Sequence, residues 1–250
     1  MSNIRLALSD IRKSFDGAAV LDGISLQVKR GEFVSILGPS GAGKSTLFQV
    51  LTGGVTPEGG QVRFDGKALG KARPFAFMPQ RDALMPWRPV IDNATLGLEV
   101  QGFSRRAARA KVAPLFPEFG LAGFEQHYPA QLSGGMRQRA ALLRTVVQDR
   151  AMLLLDEPFG ALDALTRTSM QRWLMAMWAQ HNWTALLITH DVREAVFLSD
   201  RIYALTARPA RVMREFVVPI PRSRRDLASA EASQIEAEIL DTLLTQQPDQ

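Results

Sequence analysis

Residues Gly38, Pro39, Ser40, Gly41, Ala42, Gly43, Lys44, Ser45 and Thr46 fit the phosphate-cradle spacing G-x-x-x-x-G-K-[ST] at every fixed position. Glycines at these places let backbone N–H groups turn inward around an anion, and a helix starting at the lysine points its positive end at the same anion. Lys44 adds a point charge for the β- and γ-phosphates, and the Ser45 hydroxyl is a ligand for Mg²⁺. The chemistry is the binding of a nucleoside triphosphate. Two further groups of residues fit it. Asp156 and Glu157 follow the apolar run Met152–Leu155; Asp156 is placed to hold the Mg²⁺ shell and Glu157 to orient or deprotonate an attacking water. Leu132-Ser133-Gly134-Gly135-Met136 precedes a strong helix former. Its hydroxyl and free N–H groups make a second anion site at a helix start. Alone, an acid pair after a strand is an ordinary surface cap and Ser-Gly-Gly an ordinary linker; beside a phosphate loop both readings change.

The elements that must carry these groups are legible around them. Glu32–Leu37 reads as a buried strand, and Leu47, Phe48, Val50 and Leu51 fall at helical spacing before Gly53-Gly54. Ile4–Leu8 and Ile24–Val28 read as strands, with turn signals at Asp16-Gly17 and Asp22-Gly23. Further strands are expected at Gln61–Phe64, before the turn Asp65-Gly66, and at Pro74–Met78. From Asp82 to about Gln131 the pattern turns helical and is broken by prolines, which predicts a helical lobe, about 82–150, inserted into an α/β core. Ala151–Leu155 and Thr184–Thr189 read as buried strands, Ala164–His181 as a long helix and Val192–Leu198 as a short one. Strands near Arg201–Leu205 and Arg211–Val217 follow. Met170, Trp173, Leu174, Met177 and Trp178 form a core-facing stripe on the long helix. After Pro219 and Pro221 come the charged stretch Arg222–Asp226 and an amphipathic helix over Ala230–Leu244. Ile235, Ile239 and Leu243 share one face of it, and packing, partner binding and regulation all stay open.

Composition narrows the class. At 250 residues with 46% hydrophobic and 22% charged content, the chain can bury a full core. No run approaches the roughly 20 apolar residues that cross a bilayer. Without cysteine there are neither disulfides nor thiolate metal sites. A net charge of +5 without a basic, aromatic-interleaved stripe gives no reason to expect nucleic acid as a partner.

The whole set, in order, resembles the nucleotide-binding subunit of an ATP-binding-cassette (ABC) transporter over about residues 4–220. The residues that carry the resemblance are Gly38–Thr46, Gln80, Leu132–Met136, Leu153–Glu157, Ala161-Leu162-Asp163 and His190. It implies an α/β P-loop NTPase core with a mainly parallel sheet, an N-terminal antiparallel β subdomain and the inserted helical subdomain. The ATPase domain would cover 1–220, and 221–250 would be a C-terminal basic linker and helix. It also implies a head-to-tail homodimer that sandwiches two Mg-ATP, each held by one copy's phosphate loop and the other's Ser133, Gly134 and Gly135. Carried over by position, Gln80 senses the γ-phosphate and Mg²⁺, His190 supports the attacking water, Asp163 reaches across the interface and Phe15 stacks on adenine. Met136 stands where Gln is frequent, Gly160 where Ser is frequent and Phe15 where Tyr is usual.

Glu157–Arg167 resembles importers, which implies separate transmembrane permease subunits, a solute-binding protein and a place on the cytoplasmic face of the membrane. Pro86-Trp87 resembles the nitrate, sulfonate, taurine and pyrimidine-precursor group, and Met78–Asp82 leans toward a thiamine precursor. The segment Leu84–Asn93 is expected to help form a groove for a helix of the permease, the alternative being that Met85 and Trp87 fill the lobe's own core. Two other classes remain: a soluble cassette ATPase acting on DNA or ribosomes, which would usually show two cassettes or a coiled-coil insertion, and a P-loop kinase, which would leave Leu132–Met136 and His190 without purpose.

Overall fold

In the computed structural model, residues 3–71, 73–226 and 229–245 are described. Residues 227–228 and 246–250 of the expected C-terminal segment lie outside them. In chain order the elements are β1 (Ile4–Phe15), β2 (Ala18–Lys29), β3 (Phe33–Leu37), α1 (Lys44–Thr52), β4 (Gly59–Phe64), β5 (Lys67–Ala68), β6 (Phe75–Met78), α2 (Val90–Val100), α3 (Arg105–Val112), α4 (Gly134–Val146), β7 (Met152–Asp156), α5 (Ala164–His181), β8 (Ala185–Thr189), α6 (Val192–Leu198), β9 (Arg201–Leu205), β10 (Val212–Val217) and α7 (Ala230–Leu244). Two compact units result: Met1–Pro74 with Met175–Gln250, and Phe75–Leu174. Among the described residues no helix is long and apolar enough to cross a membrane.

The first unit holds an antiparallel sheet in the order β2-β1-β4-β5. Its hairpin turns at Asp16-Gly17, both at positive φ (50° and 78°), the two-residue geometry that suits the strand twist. Asp22-Gly23 is no turn. It lies inside β2, where the register shifts between Ile11↔Ile24 and Arg12↔Asp22 and Gly23 sits at φ 79°, so the turn-like dipeptide is a bulge. In the same unit β3 pairs in parallel with β8 and β9, and β10 closes that edge antiparallel to β9. Every residue of β3 and β8 is buried, as their near-continuous apolar sequences require. Trp178 is fully buried, meets Phe33 edge-on at 5.4 Å and donates its indole N–H to the Trp183 carbonyl. α7 is anchored here: Ile239 is fully buried against Val196 and Phe216, with Ile235 and Leu243 beside it. Of the three roles left open for this helix, packing is observed, and burying Ile239 contributes roughly 1.5–3 kcal/mol.

In the second unit β6 and β7 pair in parallel, Met78 opposite Leu155. The helical stretch is closed by one buried acid. Asp92 is fully buried and takes bonds from Arg109 (2.7 and 2.8 Å) and Arg105 (3.2 Å at one oxygen, a closer bond at the other). Burial alone would raise the pKa of this carboxyl; the bonds from Arg109 and Arg105 overcome that and hold it well below the ordinary carboxylate range. A carboxylate whose folded pKa lies below its unfolded value stabilises above about pH 4 and loses that contribution as pH falls toward the folded value. Asp92→Asn should therefore cost roughly 2 kcal/mol at pH 7, less than a wholly buried pair because both arginines are partly exposed. In urea unfolding, the gap between wild type and Asp92→Asn should shrink as pH drops below about 4.

Candidate functional site

In the first unit the phosphate loop leaves the carboxyl end of β3 and returns as α1. Gly43 takes φ 106° at the helix start, and a Cβ there would come within 2.9 Å of Val20 Cγ1 and 3.0 Å of the Val20 carbonyl oxygen. Only glycine fits that approach. The first turn of α1 carries no acidic residue and no side-chain cap, so its leading N–H groups keep their positive potential. Lys44 is buried and its Nζ donates to the carbonyls of Gly38 (2.7 Å) and Pro39 (2.9 Å), which holds the ammonium along the loop. This donor set fits a polyphosphate: backbone N–H groups, one lysine and the Ser45 hydroxyl, with no carboxylate in the turn.

His190 belongs to the same edge. Leu37 and Thr189 are register partners in parallel strands, so Gly38 and His190 emerge side by side. Both line a cavity of about 230 Å³ with Pro39, Thr206 and leucines of α7. His190 is exposed, and the turn that carries it is fixed by the Thr189 hydroxyl, which accepts from the Asp191 N–H (3.0 Å) and pairs closely with Glu194. Phe15 ends β1 at 40% exposure with the Lys13 ammonium 5.2 Å from its ring centre. A partly open aromatic face beside a cation could take a flat base, with the ammonium close to any attached phosphate.

In the second unit the equal register of β6 and β7 brings Gln80 and Glu157 to one edge, and Gln80 Nε2 donates to Glu157 Oε2 at 3.2 Å. Asp156 ends β7, almost buried. Glu157 sits at φ 43°, a left-handed backbone that costs a non-glycine residue about 1 kcal/mol and concentrates at working sites. Ser133 caps α4, its Oγ accepting from the Met136 N–H at 3.2 Å. A Cβ on Gly134 would lie 3.3 Å from Leu162 Cδ2, and one on Gly135 3.0 Å from Thr166 Cγ2, so the two glycines let the segment of Asp163 pack against the helix start. Asp163 caps α5 through Thr166 (3.0 Å), and the hydrogen bonds from Thr166 lower its pKa. Gly160, by contrast, has room for a side chain: its nearest neighbour would be 3.5 Å away.

Several polar residues at this site carry no sequence signal. Arg137, Gln138 and Arg144 look like the solvated face of a good helix former, yet Gln138 and Arg144 are buried and all three bind backbone or acid elsewhere in the unit. Among the described residues no three His, Cys, Asp or Glu side chains cluster to hold a metal ion.

Comparison with known proteins bears on the whole assembly. The family model described as ABC transporter matches residues 21–160. The chain is 45% identical to the formylaminopyrimidine import ATP-binding protein ThiZ of Halalkalibacterium halodurans, over 85% of this chain and 83% of that protein. It is 41% identical to the taurine import ATP-binding protein TauB of Yersinia pestis, over 83% of this chain and 82% of that one. Among solved structures it resembles a dimeric ATP-binding cassette in a post-hydrolysis state with ADP and Pi, at TM-score 0.74 and 27% identity, over 86% of this chain and all of the other. The chain belongs to the ABC transporter family, as an ATP-binding and ATP-hydrolysing member of it.

Proposed function

We propose that the chain is the ATPase subunit of a bacterial importer, and that it works as a head-to-tail pair of copies closing on two Mg-ATP. The observation that carries this reading is the pair of helix starts described above: a glycine-lined loop with Lys44 before α1, and the serine-capped, glycine-backed start of α4. One triphosphate needs only one such loop, so the second cradle gains a purpose when it meets the nucleotide of another copy. The solved relative is dimeric, which agrees.

Each residue then has one task. Lys44 and the N–H groups of Gly41–Ser45 neutralise the triphosphate, and Phe15 stacks on the base. Ser45, Asp156 and Gln80 would be the oxygen donors for Mg²⁺, which would polarise the γ-phosphate. Glu157 takes the proton of the attacking water, His190 holds that water and the γ-oxygens, and Asp163 reaches the other copy. Lys44→Ala should weaken ATP binding by roughly 30-fold or more, measured with a fluorescent analogue, since a charge-assisted contact is lost. Glu157→Gln should bind ATP normally and lower kcat by roughly 10²–10⁴-fold. It should also elute as a dimer with ATP and Mg²⁺; a monomer under those conditions would contradict the pairing.

Import requires membrane partners. Trp87 is 74% exposed. The loop presenting it is fixed by buried Asn93, which accepts from the Met85 N–H (2.6 Å) and donates to the carbonyls of Met85 and Arg88 (3.1 and 2.8 Å). Trp87 therefore does not fill the lobe's core. A rigid loop holding out an indole suits a helix of a permease at the cytoplasmic face of the membrane, with a solute-binding protein beyond it. Trp87→Ala should lose most of the permease in a pull-down while its ATP binding stays unchanged. For the cargo, the relatives' names give formylaminopyrimidine, taurine and aliphatic sulfonates, and the resemblance of Met78–Asp82 to the pyrimidine-precursor importers favours the pyrimidine. Uptake of the labelled pyrimidine by the assembled transporter, and not of taurine, is the expected result.

A further inference from the structure

One helix, α4, binds the segments that carry Ser133, Gln80 and Glu157 in the second unit. Arg137, in the first turn of α4, donates from Nη1 to the Leu132 carbonyl at 2.8 Å and pairs through Nε with Asp82 at 3.2 Å. It thus joins the residue before Ser133 to the residue two beyond Gln80. Gln138, next on the helix and buried, donates to the carbonyl of Pro158, the residue after Glu157. One turn and a half later, Arg144 donates to the carbonyls of Asp82 and Ala83, each at 2.6 Å. Burial pulls the Arg144 pKa below its ordinary value, partly offset by Asp82, and the guanidinium is held there by the bent backbone it binds, with Ala83 at φ 47°. The circuit closes at the other end, where Gln80 donates to Glu157.

We infer that Arg137 and Gln138 are positioning residues: through Asp82 and Pro158 they tie the Ser133 cradle to Gln80 and Glu157 of the same chain. A nucleotide taken by Ser133 therefore sets the place of that chain's own general base. This rests on the proposed pairing, in which the Ser133 nucleotide belongs to the other copy, and it adds a path by which each ATP reports to the opposite site. The path is short. Ser133 and Arg137 share one helical turn, the Arg137 N–H bonding the Ser133 carbonyl at 2.9 Å, so a shift of the cradle moves the guanidinium with it. The exposure of the Arg137–Asp82 pair decides how the role can be seen. Both side chains are about one-third exposed, and such a pair contributes little to stability. Its value lies in geometry, where a displacement of about 1 Å at a reacting group costs up to roughly 100-fold in rate.

The test is steady-state ATP hydrolysis by the full chain carrying Arg137→Ala, beside the charge swap Arg137→Asp with Asp82→Arg. Arg137→Ala should lower kcat by roughly tenfold with KM within about twofold, the signature of an interaction used in the transition state. Its Tm should stay within about 2 °C of wild type. When combined with Glu157→Gln it should still form the ATP-dependent dimer, and the charge swap should recover much of the lost kcat. An unchanged kcat overturns the inference. So does a loss that appears as raised KM together with loss of the dimer, which would make Arg137 part of nucleotide binding alone. A wild-type chain that neither hydrolyses ATP nor pairs would instead strike the proposed function itself, and this inference with it.

Discussion

A helix that begins without an acidic side chain leaves its first N–H groups, and about half a positive charge, facing outward for an anion to satisfy. This chain presents such a start at Lys44, without a side-chain cap, and another at Gly134, where the Ser133 Oγ takes the Met136 N–H; neither has an acid in its first turn. The surrounding sequence keeps both open. Gly43 permits a backbone approach to β2 that any Cβ would block, and Gly134 and Gly135 let Leu162 and Thr166 press against α4 without covering its end. Parallel strands then bring the candidate site residues to matching edges, Gly38 with His190 in one unit and Gln80 with Glu157 in the other. In the proposed function, the fold is a means of holding donors toward phosphate and acids toward water.

The supporting interactions differ in what they do. Asp92 with Arg105 and Arg109 is a buried charge cluster that closes the helical stretch, and its effect is on stability. Arg137 with Asp82 is about one-third exposed and contributes little to stability, yet it joins the segments that carry Ser133 and Gln80. At the far end of the chain, Arg222 and Arg225 both pair with Asp200, and Arg222 lies over the Trp178 ring. The charged stretch before α7 is in this way fastened to the first unit, and Ile239 completes the attachment.

Most of this was legible in the sequence where pattern and chemistry agree. α5, α6, β9 and α7 fall at their expected bounds because their apolar periods are uninterrupted and their caps local: Asp191 for α6 and Ser229 for α7. The phosphate loop, the acids after β7 and the serine-capped α4 were equally plain, since short motifs fix short-range geometry. What could not be read was whatever depends on a distant partner. Asp22-Gly23 has turn composition, but its bulge exists only because β1 runs alongside it. Trp87 has the composition of a core residue, and its outward position follows from Asn93 binding the loop from within. Gln138 and Arg144 are polar residues in a good helix former, and their burial becomes apparent only when the backbone at Pro158 and Asp82 is in place. Even the stripe of α5 divides in detail: Trp178 goes wholly inside, whereas Trp173 is only partly buried, against Phe119 and Arg139.

In the proposed pairing each hydrolytic centre is assembled from two copies, the phosphate loop of one and the Ser133 cradle of the other. The decisive experiment mixes two defective proteins: Lys44→Ala, which spoils only the loop, and Gly135→Glu, which spoils only the cradle. If centres form across copies, a mixed pair contains one centre with both parts intact. Two preparations that are each near background should then recover about one-quarter of wild-type ATPase activity at equal mixing, half of the pairs being mixed and each having one good centre. A mixture that stays at the sum of its inactive parts, while mixed pairs are seen to form, would contradict the account.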